Sequence, residues 1–282
     1  MNMTDSIKIK GLCKSFGGKG LEDVSIDIPK GSIIGVVGEN GAGKTTMLKC
    51  ISGAFIPDSG TVRFPFERRC GDIGFVFDEC HLPSFLTPSQ ISKVMSELVP
   101  SWDGGQFDSM MASEGIENDK KIRKMSRGMR MKIQTAVALS QKPSLLLMDE
   151  PTAGLDPAAR DDFLDKVREF MQDDEHTTII SSHITDDLEK IADYIAFIHK
   201  GRLLMFEEKD ILLERYGILR CGNLEDLHKI GDGTIVSIRR SEFGCSALVD
   251  DKNGLREAYP EAIVDDASLD DVFVFTIKGE AA

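Results

Sequence analysis

Apolar residues follow two rhythms along this chain. Residues 32–37, 145–148 and 177–181 are short continuous runs of apolar or β-branched side chains. Runs of this length predict strands covered on both faces, as in a parallel sheet lying between helices. Between the first two runs the rhythm becomes helical. Thr87-Pro88-Ser89-Gln90 has the form of a capping box with proline at the first helical position. Ile91, Val94, Met95 and Leu98 follow at i, i+3, i+4 and i+7. A second helix carries Phe107, Met110 and Met111 and is expected to stop at Gly115. Residues 85–140 therefore read as a helical subdomain inserted into an α/β core. Further on, Ile184, Leu188 and Ile191 mark a helix, and 194–198 with 203–206 predict a hairpin closed at Lys200-Gly201. A helix carrying Ile211, Leu212 and Tyr216 is expected to end the core near Gly217. Residues 218–282 read as a small α+β appendage, with strands at 234–238 and 246–249 and a helix starting at Ser268-Leu269-Asp270-Asp271.

Length and charge narrow the class. A chain of 282 residues corresponds to about two domains, or one large domain with an appendage. No apolar run approaches the roughly 18 residues of a membrane-spanning helix, and residues 1–10 lack the apolar stretch of a secretory signal. A cytoplasmic location is expected. With 34 Lys+Arg against 47 Asp+Glu the formal net charge is −13. Such a surface repels nucleic-acid phosphates, so no nucleic-acid partner is expected. A small anionic ligand is still admissible where a helix N-terminus and a lysine converge. The six cysteines are scattered without C-x-x-C spacing and read as reduced thiols.

Two segments carry chemistry. Gly38-Glu39-Asn40-Gly41-Ala42-Gly43-Lys44-Thr45 fits G-x-x-x-x-G-K-S/T, follows the apolar run ending at Val37 and precedes the helical stretch from Thr46. The glycines let successive N–H groups curl inward toward phosphate oxygens, and a helix N-terminus adds partial positive charge. Lys44 is the residue to reach the β- and γ-phosphates, and the Thr45 hydroxyl suits Mg²⁺. The second segment, Leu145-Leu146-Leu147-Met148-Asp149-Glu150-Pro151, is an apolar strand ending in two carboxylates. Acids are tolerable at the carboxyl end of such a strand, where open α/β sheets bind ligands. Asp149 suits a metal shell and Glu150 a base or positioner of attacking water.

These segments and what surrounds them resemble the nucleotide-binding subunit of an ATP-binding cassette (ABC) transporter over residues 5–217. Thr152-Ala153-Gly154-Leu155-Asp156-Pro157 matches that family's D-loop after its Walker B strand, and Ser181-Ser182-His183 places His183 at its switch histidine. Phe16 sits where the family has an aromatic that stacks on adenine. Met125-Ser126-Arg127-Gly128-Met129 stands at the place of the L-S-G-G-Q signature. Singly, Phe16 also reads as a core residue, His183 as a structural histidine, Ser126 as a helix N-cap and Asp156 as a helix-start carboxylate. The resemblance implies an α/β fold: a P-loop NTPase core (RecA-like, mostly parallel sheet with an antiparallel β part), the helical insertion, and the C-terminal α+β appendage. It divides the chain into an ATPase domain, 1–217, and an accessory region, 218–282.

The sequence departs from the family in two places. Arg127 and Met129 replace Gly and Gln of the signature. In Ile73-Gly74-Phe75-Val76-Phe77-Asp78-Glu79, Asp78 stands where the Q-loop glutamine is expected. Asp78 is carried as a further metal candidate beside Thr45 and Asp149. The signature variant is similar to bacterial export-type ATPases. The resemblance implies MgATP held by Phe16, residues 38–46, Asp149, Glu150 and His183, with Ser126, Arg127, Gly128 and Met129 supplied in trans. The second cassette is an identical copy or another ABC ATPase subunit. A membrane permease docks on the helical subdomain, which would place the chain peripherally on the inner face of the membrane. The alternatives are a soluble ABC ATPase of the cluster-assembly kind and a non-hydrolysing, nucleotide-gated dimerisation module.

Overall fold

The computed structural model describes residues 6–221, 234–241 and 244–281. The order begins β1 (Ser6–Phe16), β2 (Lys19–Pro29), β3 (Ile33–Val37), α1 (Lys44–Ser52), β4 (Ser59–Arg63) and β5 (Ile73–Val76). Helices α2 (Pro88–Leu98), α3 (Gly104–Ser113) and α4 (Arg127–Leu139) follow, then β6 (Leu145–Asp149), α5 (Pro157–Phe170), β7 (Thr177–Ser182) and α6 (Thr185–Ile191). Next come β8 (Tyr194–His199), β9 (Arg202–Glu208) and α7 (Lys209–Arg215). The chain finishes with β10 (Tyr216–Cys221), β11 (Ile235–Ser241), β12 (Gly244–Asp250), α8 (Lys252–Ala258), β13 (Ile263–Asp266), α9 (Leu269–Lys278) and β14 (Glu280–Ala281). Among the described residues no helix is long and apolar enough to cross a membrane.

The central sheet runs β5-β6-β7-β3-β8-β9 and is parallel except for β9. Every residue of β3, β6 and β7 is buried, which is why these strands carry continuous apolar runs. The β8–β9 hairpin turns at Lys200 and Gly201, both at positive φ (48° and 82°), the conformation a two-residue turn between twisted strands requires. A smaller antiparallel sheet, β2-β1-β4, is the antiparallel part of the expected fold class. Helices α2, α3 and α4 close around their own apolar cluster, with Phe107, Met111, Ile122 and Ile133 at its centre.

The helix expected after Thr87 forms, and one expectation, that Tyr216 lies in a helix, needs correcting. The stripe Ile91, Val94, Met95, Leu98 is only partly covered: Ile91 is buried, while Val94 and Leu98 are 44% and 62% exposed. The Thr87 capping box forms as expected, so the helix is set by its start signal and not by burial of the whole stripe. Tyr216 does not close a helix. It ends α7 in extended conformation and opens β10, the second strand of a five-stranded sheet ordered β13-β10-β12-β11-β14. That sheet shares core with the ATPase-like part. Ile218, Leu248 and Phe273 join Leu188, Ile195 and Phe197 in one cluster, and the Phe197 and Phe273 rings lie 5.3 Å apart. The Leu269 N–H donates to Glu189 Oε1 of α6 (2.7 Å).

Candidate nucleotide site

β3 delivers the chain into the turn from Gly38 to Gly43, and α1 starts at Lys44. A side chain at Gly38 would meet the Ile198 carbonyl at 2.5 Å, and Gly43 caps α1 with φ 112°. Both positions exclude a β-carbon, the first by contact and the second by backbone conformation. Ala42 and Thr46 lie within the same strand–loop–helix turn, where the Ala42 N–H donates to the Glu39 carbonyl (3.0 Å) and Ala42 accepts from Gly201 N–H (2.8 Å). The carboxylate of Glu39 lies 3.7 Å from His199 and 3.5 Å from Lys278 of α9.

Lys44 is buried and its ammonium curls back into the loop, donating to Gly38 O (2.6 Å) and lying 3.0 Å from Glu150 Oε1. Asp149, at the end of β6, is fully buried. It accepts hydrogen bonds from the hydroxyls of Thr45 (2.6 Å, Oδ2) and Ser181 (2.6 Å, Oδ1). A buried carboxylate is costly unless satisfied, and these two donors satisfy it. Thr45 and Asp149 present hard oxygens side by side, a donor set that fits Mg²⁺, which keeps waters and phosphate oxygens as its remaining ligands.

Glu150 follows at φ 48°, a left-handed conformation that costs a non-glycine residue roughly 1–2 kcal/mol. Its backbone N–H is held by the Ser181 carbonyl (3.0 Å) and hydroxyl (3.1 Å), and this turns the carboxylate out of the strand. The Nδ1–H of His183 donates to Glu150 Oε2 at 2.6 Å, with the His183 backbone N–H at 3.2 Å. A carboxylate oxygen accepts, so the ring nitrogen that faces it is the donor. Lys44, Thr45, Asp149, Glu150 and His183 thus converge at the carboxyl ends of β3, β6 and β7. Ser181, which joins Asp149 to Glu150, was not singled out from sequence. The signal available was a hydroxyl pair following Ile179-Ile180 at the carboxyl end of a buried strand.

The other sequence candidates lie elsewhere. Phe16 ends β1 at 49% exposure, its ring 5.3 Å from Phe55 and under the Lys14 ammonium at 5.4 Å. Lys14, Gly18, Asn40, Gly41 and Lys200 line a pocket of about 560 Å³ beside the phosphate loop. Ser126 caps α4 by accepting from Met129 N–H (3.2 Å), and Asp156 caps α5 by accepting from Ala159 N–H (3.0 Å). Ser126, Gly128 and Met129 share a cleft of about 350 Å³ with Gly154, Leu155 and Asp156. Beyond its chain neighbours and its own helix backbone, no atom of the described residues lies within 4 Å of where a Gly128 side chain would be. Asp78 is not brought to Thr45 or Asp149. Phe75 stacks on Phe77 (4.1 Å), Phe77 meets His81 edge-on (4.7 Å), and Asp78 opens onto a different pocket, which Arg127 also lines.

Comparison with known proteins identifies the family. Residues 21–153 match the sequence profile of the family described as ABC transporter. The lantibiotic transport ATP-binding protein SrtF of Streptococcus pyogenes is 32% identical over 211 residues, covering 72% of this chain and 91% of that protein. The bacitracin transport ATP-binding protein BcrA of Bacillus licheniformis is 30% identical over 218 residues, covering 72% and 69%. Among solved structures, an ATP-binding subunit of an ABC transporter superposes with a TM-score of 0.66 at 22% identity, covering 73% of this chain and 90% of that one.

Proposed function

This chain belongs to the family of ABC transporter ATP-binding subunits, an ATPase family, and from that premise we propose that it hydrolyses MgATP to drive export of a substrate through a separate membrane permease. The observation that carries the catalytic part is the convergence of Lys44, Thr45, Asp149, Glu150 and His183 on the turn from Gly38 to Gly43. In this reading the curled amides and Lys44 hold the β- and γ-phosphates, and Phe16 with the neighbouring pocket receives the base. Thr45 and Asp149 would hold Mg²⁺, which neutralises phosphate charge when bound. Glu150 orients the attacking water and accepts its proton, and His183 fixes the carboxylate's direction. The phosphates and Glu150 compete for the same ammonium, so nucleotide entry frees Glu150 from Lys44 while His183 retains it.

Ser126 and Gly128 lie in a cleft apart from the phosphate loop, on an N-terminal helix end with open space above Gly128. That supports a lid donated to a second cassette, identical or related, whose γ-phosphate the α4 N-terminus would face. Closure excludes water and strengthens the fixed dipoles around the transferring group. Residues 1–217 then form the ATPase unit, with 85–140 as its helical part, and 218–282 an accessory unit.

Coupling to a permease is supported by the surface of α2. Val94 and Leu98 lie one turn apart and exposed, and Phe85 just before the helix is 63% exposed. Exposed apolar side chains grouped on one element mark interaction sites. The signature variant and the two relatives named for lantibiotic and bacitracin transport support export. The chain would then sit on the inner face of the membrane through its permease. Affinity purification from detergent-solubilised membranes of the native host tests this. The chain is expected to bring down a multi-span membrane protein, and the Val94→Glu/Leu98→Glu double variant is expected to lose it while still binding ATP. Recovery of the chain without any such protein favours the soluble alternative.

A further inference from the structure

The two departures from the family pattern face one cavity. Asp78, in the glutamine's place, and Arg127, in the glycine's, both line a polar pocket of about 410 Å³, together with Glu79, Cys80, Arg130 and Gln134. The surrounding contacts fix its walls. Gln134 of α4 reaches back to donate to the Phe77 carbonyl (3.4 Å), and Arg130 Nε donates to Met125 O (3.1 Å). Asp78 Oδ1 accepts from the Glu79 N–H (2.9 Å). On its other side Arg127 lies over the D-loop, where a β-carbon on Gly154 would be 3.3 Å from the guanidinium.

We propose that Asp78 and Arg127 are a compensating pair of positioning residues, whose opposite charges couple the segment after β5 to the signature helix and, through Arg127, to Gly154. The pocket holds two carboxylates, Asp78 and Glu79, and two guanidinium groups, Arg127 and Arg130, so opposite charges share one cavity. The pair is exposed, so its attraction is weak in open water and grows when closure lowers the local dielectric. Its effect therefore falls on turnover and not on ATP affinity. This inference rests on the ATPase reading, and wild-type hydrolysis that is lost in Glu150→Gln tests that reading separately.

The test is a double-mutant cycle measured by steady-state phosphate release. Asp78→Gln and Arg127→Gly are each expected to lower kcat about fivefold or more, with KM for ATP within about twofold. The Asp78→Gln/Arg127→Gly double variant should return to within about twofold of wild type, a coupling within the range found for interacting neighbours. Arg127→Lys, which keeps the charge, should retain most of the activity and extend the effect's loss at high salt. Single-variant losses that multiply in the double variant overturn the proposal. So does rescue of Arg127→Gly by Glu79→Gln in place of Asp78→Gln, which would make Glu79 the partner.

Discussion

Replacing Glu150 by glutamine is expected to slow phosphate release about 100- to 10,000-fold while ATP uptake persists, the range lost with a positioned general base. The substitution keeps the shape of the side chain, and its carbonyl oxygen still accepts from His183 Nδ1–H, now 2.6 Å from Glu150 Oε2. The left-handed backbone at φ 48° and the two Ser181 contacts to the main chain do not depend on the carboxylate. What disappears is the negative charge 3.0 Å from the Lys44 ammonium. Without that competitor Lys44 is free for phosphate, so ATP binding should hold or strengthen. Colorimetric phosphate release and fluorescent-nucleotide binding, run on the same preparation, separate the two effects. Turnover equal to wild type would remove Glu150 from the reaction.

Lys44→Ala is expected to act at the earlier step. A ligand at 100 times its dissociation constant stabilises a folded protein by about 2.7 kcal/mol. For a chain of this size each kcal/mol moves the melting midpoint by roughly 2–4 °C, so ATP should raise the wild-type Tm by about 5–10 °C. In Lys44→Ala the ATP-dependent rise should fall below about 1 °C. The comparison is the shift on adding ATP, because removing Lys44 also strips Glu150 and the Gly38 carbonyl of a buried partner and lowers the starting Tm. Differential scanning fluorimetry with and without MgATP gives both numbers. A full ATP-dependent rise in the variant would mean that the phosphate grip lies elsewhere.

How far the sequence revealed this site depended on where the information is stored. β3, β6 and β7 were legible because burial on both faces forces continuous apolarity. The phosphate loop was legible because its motif is contiguous, although Gly43 answers to its own backbone conformation and Gly38 to the distant Ile198 carbonyl. The capping box at Thr87 and the helix start at Ser268 are likewise local, and both form. Apolar spacing on α2 could not say which half of the stripe finds a partner, and Val94 and Leu98 find none within the described residues. The alternation of Ile7 and Ile9, and of Ile26 and Ile28, held the β1–β2 pairing in plain view. Each of these strands is only half apolar, so it lacks the continuous run that marks the buried strands of the central sheet. Tyr216 was assigned to a helix by its spacing from Leu212, but its conformation is set by pairing with Asp250 across the sheet. The link from Ser181 to Asp149 and the pocket shared by Asp78 and Arg127 are tertiary, involving residues 32 and 49 positions apart, and no local pattern encodes them.

The central claim is that the turn before α1 grips the phosphates of ATP through Lys44. Isothermal titration calorimetry of MgATP into the purified wild-type chain tests it most directly. Saturable heat with one nucleotide bound per 31.1 kDa chain is the result this account predicts. Absence of heat at millimolar ATP, with the chain folded by circular dichroism, would contradict it.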